Sequence, residues 1–240
     1  MSAAATARPT SSPGATLLTG TTDNDRTTLL PRTGVEIPGG VNSSAWSAVK
    51  FGTENKVEYD TAIITDSSVA DMDFQTGLRL TSTTLTYAQD DDKAIFFYDT
   101  TDELGTLGNN ANLHFIYSVG GFDFVTDLNV VVTANTVYRL KIIFDSNRQI
   151  SVFVNNERKG LSQAVTAGGT TETDSTKKSL AMTDDIDLIP MTSVGTKTTA
   201  HPYSGVGSSS AYFINGIESP IIELKGNDTS KPYYYKFDQS

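Results

Sequence analysis

The residues of this 240-residue chain with most chemical potential are its carboxylates, and their spacing is suggestive in two places. Glu58 and Asp60 stand two apart, as do Asp71 and Asp73. On a strand, residues two apart share a face, so such a pair could act as acid and base in a hydrolysis. Within Val57–Thr65 (VEYDTAIIT), however, Glu58 and Asp60 read as solvent-facing alternates of a strand. Asp71 and Asp73 flank Met72 and read as part of a turn. Two acidic runs, Asp90-Asp91-Asp92 and Asp184, Asp185 and Asp187, offer the oxygen ligands that calcium takes, but neither follows a calcium-loop spacing. His114 alternates with Leu113, Phe115 and Tyr117, so it is expected on the face of Ile116 as a surface or packed residue. His201 precedes Pro202 in a loop, with no evident partner. Gly205-Val206-Gly207-Ser208 has neither the lysine of a phosphate loop nor the pattern of a nucleophile elbow. Tyr203 and Tyr233-Tyr234-Tyr235 are candidate platforms for a sugar ring, with core or interface packing as the competing use. The expectation is a non-enzyme, with no catalytic residues, no cofactor-binding residues and no metal ligands.

Composition narrows the partners. The formal net charge is −10 and no basic block occurs, which disfavours a phosphate backbone and an anionic membrane surface alike. No apolar run has the length of a membrane-spanning helix. The first twenty residues have no continuous apolar core and read as lacking a secretory signal. With no cysteine, neither disulfides nor thiolate metal sites are available. Charged residues make up only 19%, and Ser and Thr take their place, as suits a β-rich surface.

The elements that must position these residues are strands. Residues 1–45 differ from the rest: they contain no Phe, Tyr or Trp and hold four of the eight prolines. They read as an extended N-terminal arm, too poor in apolar surface to fold alone and suited to lying on a neighbouring subunit. Residues 46–240 read as one β domain, with strands expected at Trp46–Phe51, Val57–Thr65, Gly77–Ser82, Ala94–Tyr98, Leu113–Val119, Phe122–Val132, Val137–Phe144, Arg148–Asn155, Ala211–Asn215, Ile221–Leu224 and Tyr233–Phe237. Gln163–Ser179 and Ala200–Ser210 read as long exposed loops. Val137–Asn155 (VYRLKIIFDSNRQISVFVN) has the clearest register. Tyr138, Leu140, Ile142 and Phe144 form one apolar row, and Ile150, Val152 and Val154 the other. The rows meet only across a loop with an odd number of residues. A loop Asp145-Ser146-Asn147, with Asn147 left-handed, would set Ile142 opposite Ile150 and Leu140 opposite Val152.

That hairpin, with Phe51–Thr65 (FGTENKVEYDTAIIT) and Asp187–Val194 (DLIPMTSV), resembles the concanavalin A-like or laminin G-like jelly-roll superfamily. The likeness lies in the Tyr138-Arg139-Leu140 strand, the Val152–Asn155 tail and the order of segments between Trp46 and Leu224. It implies an all-β, antiparallel jelly-roll β-sandwich, here carrying an extended N-terminal arm. The superfamily hosts lectins, glycosidases, adhesion modules and virion proteins, so it does not choose a function. Its glycosidases carry a Glu-x-Asp-x-Glu type strand, which is absent here, and the Asp-rich metal loop of legume lectins is absent too. Within the superfamily the cysteine-free, Thr-rich chain is most similar to structural proteins of tailed bacteriophages. The implied role is capsid decoration or cementing on the outer surface of a virion. The implied partners are the major capsid protein or other virion subunits, together with copies of itself in a homo-oligomer such as a trimer. The alternative is a glycan- or receptor-binding module of a phage tail or fibre.

Overall fold

The computed structural model describes residues 15–18, 26–29, 31–32, 57–65, 67–70, 72–79, 92–100, 111–164, 172–182, 188–196, 205–214, 217–218 and 223–224. The strands are β1 (Ala15–Leu18), β2 (Arg26–Leu29), β3 (Pro31–Arg32), β4 (Val57–Thr65), β5 (Met72–Arg79), β6 (Lys93–Asp99), β7 (Asn112–Val119) and β8 (Phe122–Val131). They continue with β9 (Val137–Phe144), β10 (Ile150–Val154), β11 (Glu157–Lys159), β12 (Ile189–Thr196), β13 (Gly205–Ile214), β14 (Ile217–Glu218) and β15 (Glu223–Leu224). One sheet runs β1-β13-β4-β9-β10-β11, with β14 on β13; the other runs β2-β12-β5-β6-β7-β8. A two-stranded sheet joins β15 to β3. Among the described residues every pairing is antiparallel.

Alternation builds the core between the two main sheets. In β4, Val57, Tyr59, Thr61, Ile63 and Thr65 are buried, while Glu58, Asp60, Ala62 and Ile64 turn outward. Tyr138, Leu140, Ile142 and Phe144 of β9 and Ile150, Val152 and Val154 of β10 face Phe74, Phe96, Phe115 and Tyr117 of the other sheet within one cluster. Each such aliphatic side chain contributes about 1.5–3 kcal/mol when fully buried. Polar contacts from Tyr59 cross the core. The Tyr59 hydroxyl, from one sheet, lies 2.8 Å from Thr76 Oγ1 in the other, and Thr76 Oγ1 lies 2.8 Å from Thr192 Oγ1. That chain of hydroxyls satisfies groups that burial would otherwise penalise.

The hairpin keeps the expected faces and moves the expected register by two. Phe144 pairs with Ile150, Ile142 with Val152 and Leu140 with Val154, rather than Ile142 with Ile150. The loop still has three residues, now Ser146-Asn147-Arg148, closed by Asp145 N–H on the Gln149 carbonyl at 3.1 Å. The cause is the Asp145 carboxylate, whose Oδ1 accepts the N–H groups of Asn147 at 2.9 Å and Gln149 at 3.1 Å. This makes Asp145 the first residue of the turn. Arg148, at φ 60°, therefore takes the left-handed position expected for Asn147.

Other expectations shift in similar ways. The strand expected at Gly77–Ser82 is β5, which begins earlier, at Met72. It takes in Asp73, which is a buried strand residue and not part of a turn. Ile189 and Pro190 of the Asp187–Val194 segment begin β12, and the second half of Ala200–Ser210, expected as a loop, belongs to β13. Part of the Gln163–Ser179 stretch folds back on the β9–β10 hairpin. Ser179 donates its N–H to the Ile150 carbonyl at 3.1 Å and accepts the Ile150 N–H on Oγ at 2.7 Å. Arg148 Nε donates to the Met182 carbonyl at 2.9 Å. The strands expected at Trp46–Phe51 and Tyr233–Phe237 lie outside the described residues. From the compositionally distinct segment 1–45 come β1, β2 and β3, which pair with β13, β12 and β15.

Burial works against the Asp145 charge, but the Lys178 ammonium and the Gln149 and Asn147 N–H groups outweigh it and hold the carboxyl below the ordinary aspartate range. A lowered folded pKa contributes stability that is present above the unfolded value of about 3.9 and is lost as pH falls through the folded value. Asp145→Ala should therefore cost about 1–2 kcal/mol at neutral pH. In urea unfolding followed from pH 7 to pH 2, the gap between wild type and variant should narrow below about pH 4.

Candidate functional site

The outward face of the second sheet is where the chain concentrates its buried chemistry. Met72, Phe74 and Leu78 of β5 point into the core, so Asp73, Gln75, Gly77 and Arg79 point the other way. The same alternation sets Lys93, Ile95, Phe97 and Asp99 of β6 on this face, with Asn112, His114, Ile116 and Ser118 of β7 and Asp123, Val125 and Asp127 of β8. An outer sheet face ordinarily alternates buried and wet. This one is buried throughout β5 and β6.

Registers arrange these side chains in four rows across the strands. The first is cationic: Arg79 stands opposite Lys93, both with no exposed surface. Lys93 Nζ lies 2.8 Å from Asp123 Oδ1, and the same oxygen accepts the Ser118 hydroxyl. Arg79 Nη1 donates to Gln75 Oε1 at 2.7 Å. The second row is apolar, running Met191, Gly77, Ile95, Ile116, Val125. Gly77, at φ 147°, sits where an added Cβ would come within 2.3 Å of the Ala94 carbonyl oxygen, so only glycine fits. The third row mixes Ser193, Gln75, Phe97, His114 and Asp127. The fourth is acidic: Asp73 stands directly opposite Asp99, at 0% and 3% exposure. Asn112 joins the third and fourth rows through Nδ2, which donates to both Asp127 oxygens at 3.0 and 2.9 Å. Its Oδ1 is buried with no hydrogen-bond partner. Two-residue steps of about 6.7 Å separate the rows, so the Arg79–Lys93 pair and the Asp73–Asp99 pair occupy opposite ends of a face about 20 Å long, with Asp123 beside the cations.

The carboxylates singled out in the sequence fall in different places. Glu58 and Asp60 lie on the outer face of the first sheet, where Lys141 Nζ bridges both, at 2.6 and 3.1 Å. The Glu58 hydrogen bond is the main reason the Lys141 ammonium titrates above its ordinary range. Asp73 belongs to the buried acidic row. Its partner Asp99 gave no sequence signal, because nothing in the spacing joins residues 73 and 99; only strand pairing does. His114 lies on the face of Ile116 as expected, and is buried. Asp71, Asp90, Asp91, Asp184, Asp185, Asp187, His201, Tyr203 and Tyr233-Tyr234-Tyr235 lie outside the described residues. Among the described residues, no three His, Asp or Glu side chains gather as metal ligands would. Tyr hydroxyls serve structure: Tyr117 donates to the Ser162 carbonyl at 2.8 Å, and burial pushes its pKa up to about 12.

No protein-family model matches the sequence, and no curated protein is similar to it. Solved structures are similar in fold. The Emp47p carbohydrate recognition domain superposes with a TM-score of 0.51 at 9% identity, over 85% of this chain and 84% of that one. A protein of unknown function from Shewanella oneidensis MR-1 gives 0.49 at 12% identity, over 86% and 72%. Domains LG4-5 of the mouse laminin α1 chain give 0.42 at 11% identity, over 97% and 48%. The chain has a concanavalin A-like, antiparallel jelly-roll sandwich fold.

The Lys93–Asp123 pair yields a direct test of the face. Asp123→Leu removes the carboxylate beside a fully buried ammonium and should cost about 3 kcal/mol, whereas adding Lys93→Met to it should recover most of the loss. Urea midpoints of Lys93→Met, Asp123→Leu and the double variant measure the coupling.

Proposed function

We propose that this chain is a non-enzymatic structural protein of a virion, a jelly-roll module that decorates the outer capsid surface and is anchored partly through its N-terminal residues. The observation that carries this reading is the course of the N-terminal segment. Residues 15–32 supply strands to three sheets and do so through backbone pairing. A chain built in this way uses extended segments as attachments, and extended segments give contact over several neighbours without any reaction chemistry. The acidic, cysteine-free, Thr-rich composition supports the same reading. Full-length protein should co-sediment with purified capsids that lack it, and removal of residues 1–14 should weaken attachment at least about tenfold. Protein that stays in the supernatant at saturating capsid overturns the reading.

One observation favours a second reading, a glycan-binding module. It is the half-buried Asp127 carboxylate on the last strand of the second sheet, an acceptor of the kind that holds sugar hydroxyls, whereas Gln75, Phe97 and His114 in the same row are buried. The Emp47p domain that shares the fold is a carbohydrate recognition domain. Binding on a glycan array that disappears in Asp127→Ala, without loss of the folded state, would favour this reading over decoration. The paired carboxylates Asp73 and Asp99 give the non-enzymatic claim its own test. Reducing ends released from polysaccharide by wild type but not by Asp99→Asn would overturn that claim.

A further inference from the structure

The N-terminal segment closes one side of the sandwich in both sheets. Ala15–Leu18 pairs with Gly205–Ser208 at the edge of the first sheet, and Arg26–Leu29 pairs with Thr192–Gly195 at the edge of the second. Without it, β13 and β12 would each present a row of unpaired N–H and C=O groups, which is the template for pairing with another chain. We infer that this strap is exchangeable between copies: residues 15–29 of a second molecule fit the same two edges, and the protein assembles by reciprocal strand exchange. The partner is a second copy of this chain, whatever else the module binds.

Three observations carry the inference. First, the strap is defined by backbone register, four residue pairs on each sheet, and any copy presents the same backbone in the same order. Second, its acceptor strands come from the other end of the chain, β12 and β13, at a sequence separation of well over a hundred residues. In the folded sandwich, where β4 is paired with β13, the strap is tethered only through the stretch from Arg32 to Val57, and a tether of that kind confers an effective concentration of about the millimolar range. Two copies held side by side offer each other a comparable concentration, so pairing within a chain has no large advantage over pairing between chains. Third, the stretch from Arg32 to Val57 can span up to about 80 Å, enough for a strap to cross to a neighbouring sandwich. Exchange of identical elements then closes a symmetric dimer or ring with no new contact to evolve.

The chain contains no cysteine, so introduced pairs report cleanly. Full-length Ala15→Cys and full-length Ser208→Cys, which are register partners, are unfolded together, refolded together and oxidised. The expected product is a disulfide-linked heterodimer of twice the chain mass on a non-reducing gel. It should form several-fold more than between Ala15→Cys and a control Ser146→Cys at the hairpin tip. Peptide mass mapping should join residue 15 to residue 208. The Thr28→Cys and Ser193→Cys pair reads the second sheet in the same way, in case either first variant fails to fold. Cross-linking found only within a chain, in a protein carrying both cysteines, overturns the inference. Cross-links in neither arrangement overturn it too, because register pairing then does not hold the strap. Since no capsid or glycan is present, the result is independent of the functional reading above.

Discussion

The row of side chains that β9 and β10 drive between the two sheets is the contact on which the rest of the molecule depends. Leu140, Ile142, Phe144, Ile150 and Val152 sit at the middle of the first sheet and have no exposed surface beyond a trace. Because a strand alternates its faces strictly, a slip of one residue would turn this whole row to water. Strand β4 pairs with β9 in register, so it inherits the same parity and places Tyr59 where its hydroxyl reaches Thr76 across the core. The loops are then tied to that frame by hydroxyls. Tyr138 donates to the Val131 carbonyl at 3.1 Å, and Tyr98 donates to the Val69 carbonyl at 3.1 Å. Burial pushes the Tyr98 pKa up to about 12.

The second sheet obeys the same alternation with a different consequence. Its inner face completes the hydrophobic core, while its outer face gathers charged and amide groups that are nevertheless buried. Burying ions is costly, and the structure meets that cost by pairing: Lys93 with Asp123, Arg79 with Gln75, Asn112 with Asp127. Between the Arg79–Lys93 end and the Asp73–Asp99 end lies a middle band of Ile95, Ile116 and Val125, packed where Gly77 lets two strands approach closely. Such a face distinguishes this sandwich from one in which only the space between the sheets is dry.

The edges show how the molecule treats exposed backbone. On one side the N-terminal strap covers β13 and β12. On the other, β11 and the returning segment around Ser179 cover β10. Strand β8 ends the second sheet, and its ladder with β7 is interrupted by a bulge between Leu113 and His114. There Asn129 is left-handed and bonded to Asp127, a kink that makes continued pairing along that edge unfavourable.

Local alternation made β4 and β9 legible residue for residue, since their buried and wet faces differ in composition. It also gave the parity of the hairpin, while the register needed the Asp145 carboxylate, whose turn bonds outweigh the left-handed tolerance of Asn147. β5 was misplaced for a clear reason: both its faces are buried, so Asp73 and Gln75 break the apolar pattern that would mark a strand, although they are covered. The acidic row could not be read at all, because the Asp73–Asp99 pairing joins residues related only by strand pairing. By itself, then, the sequence determined the strand periodicity, the sandwich class and the distinct character of residues 1–45, all of which depend on neighbours within a few residues. Tertiary structure alone decided which strands lie side by side, and hence which charges share a face and which edges the N-terminal strands cover. Those are contacts between distant segments, and short-range periodicity carries no information about them.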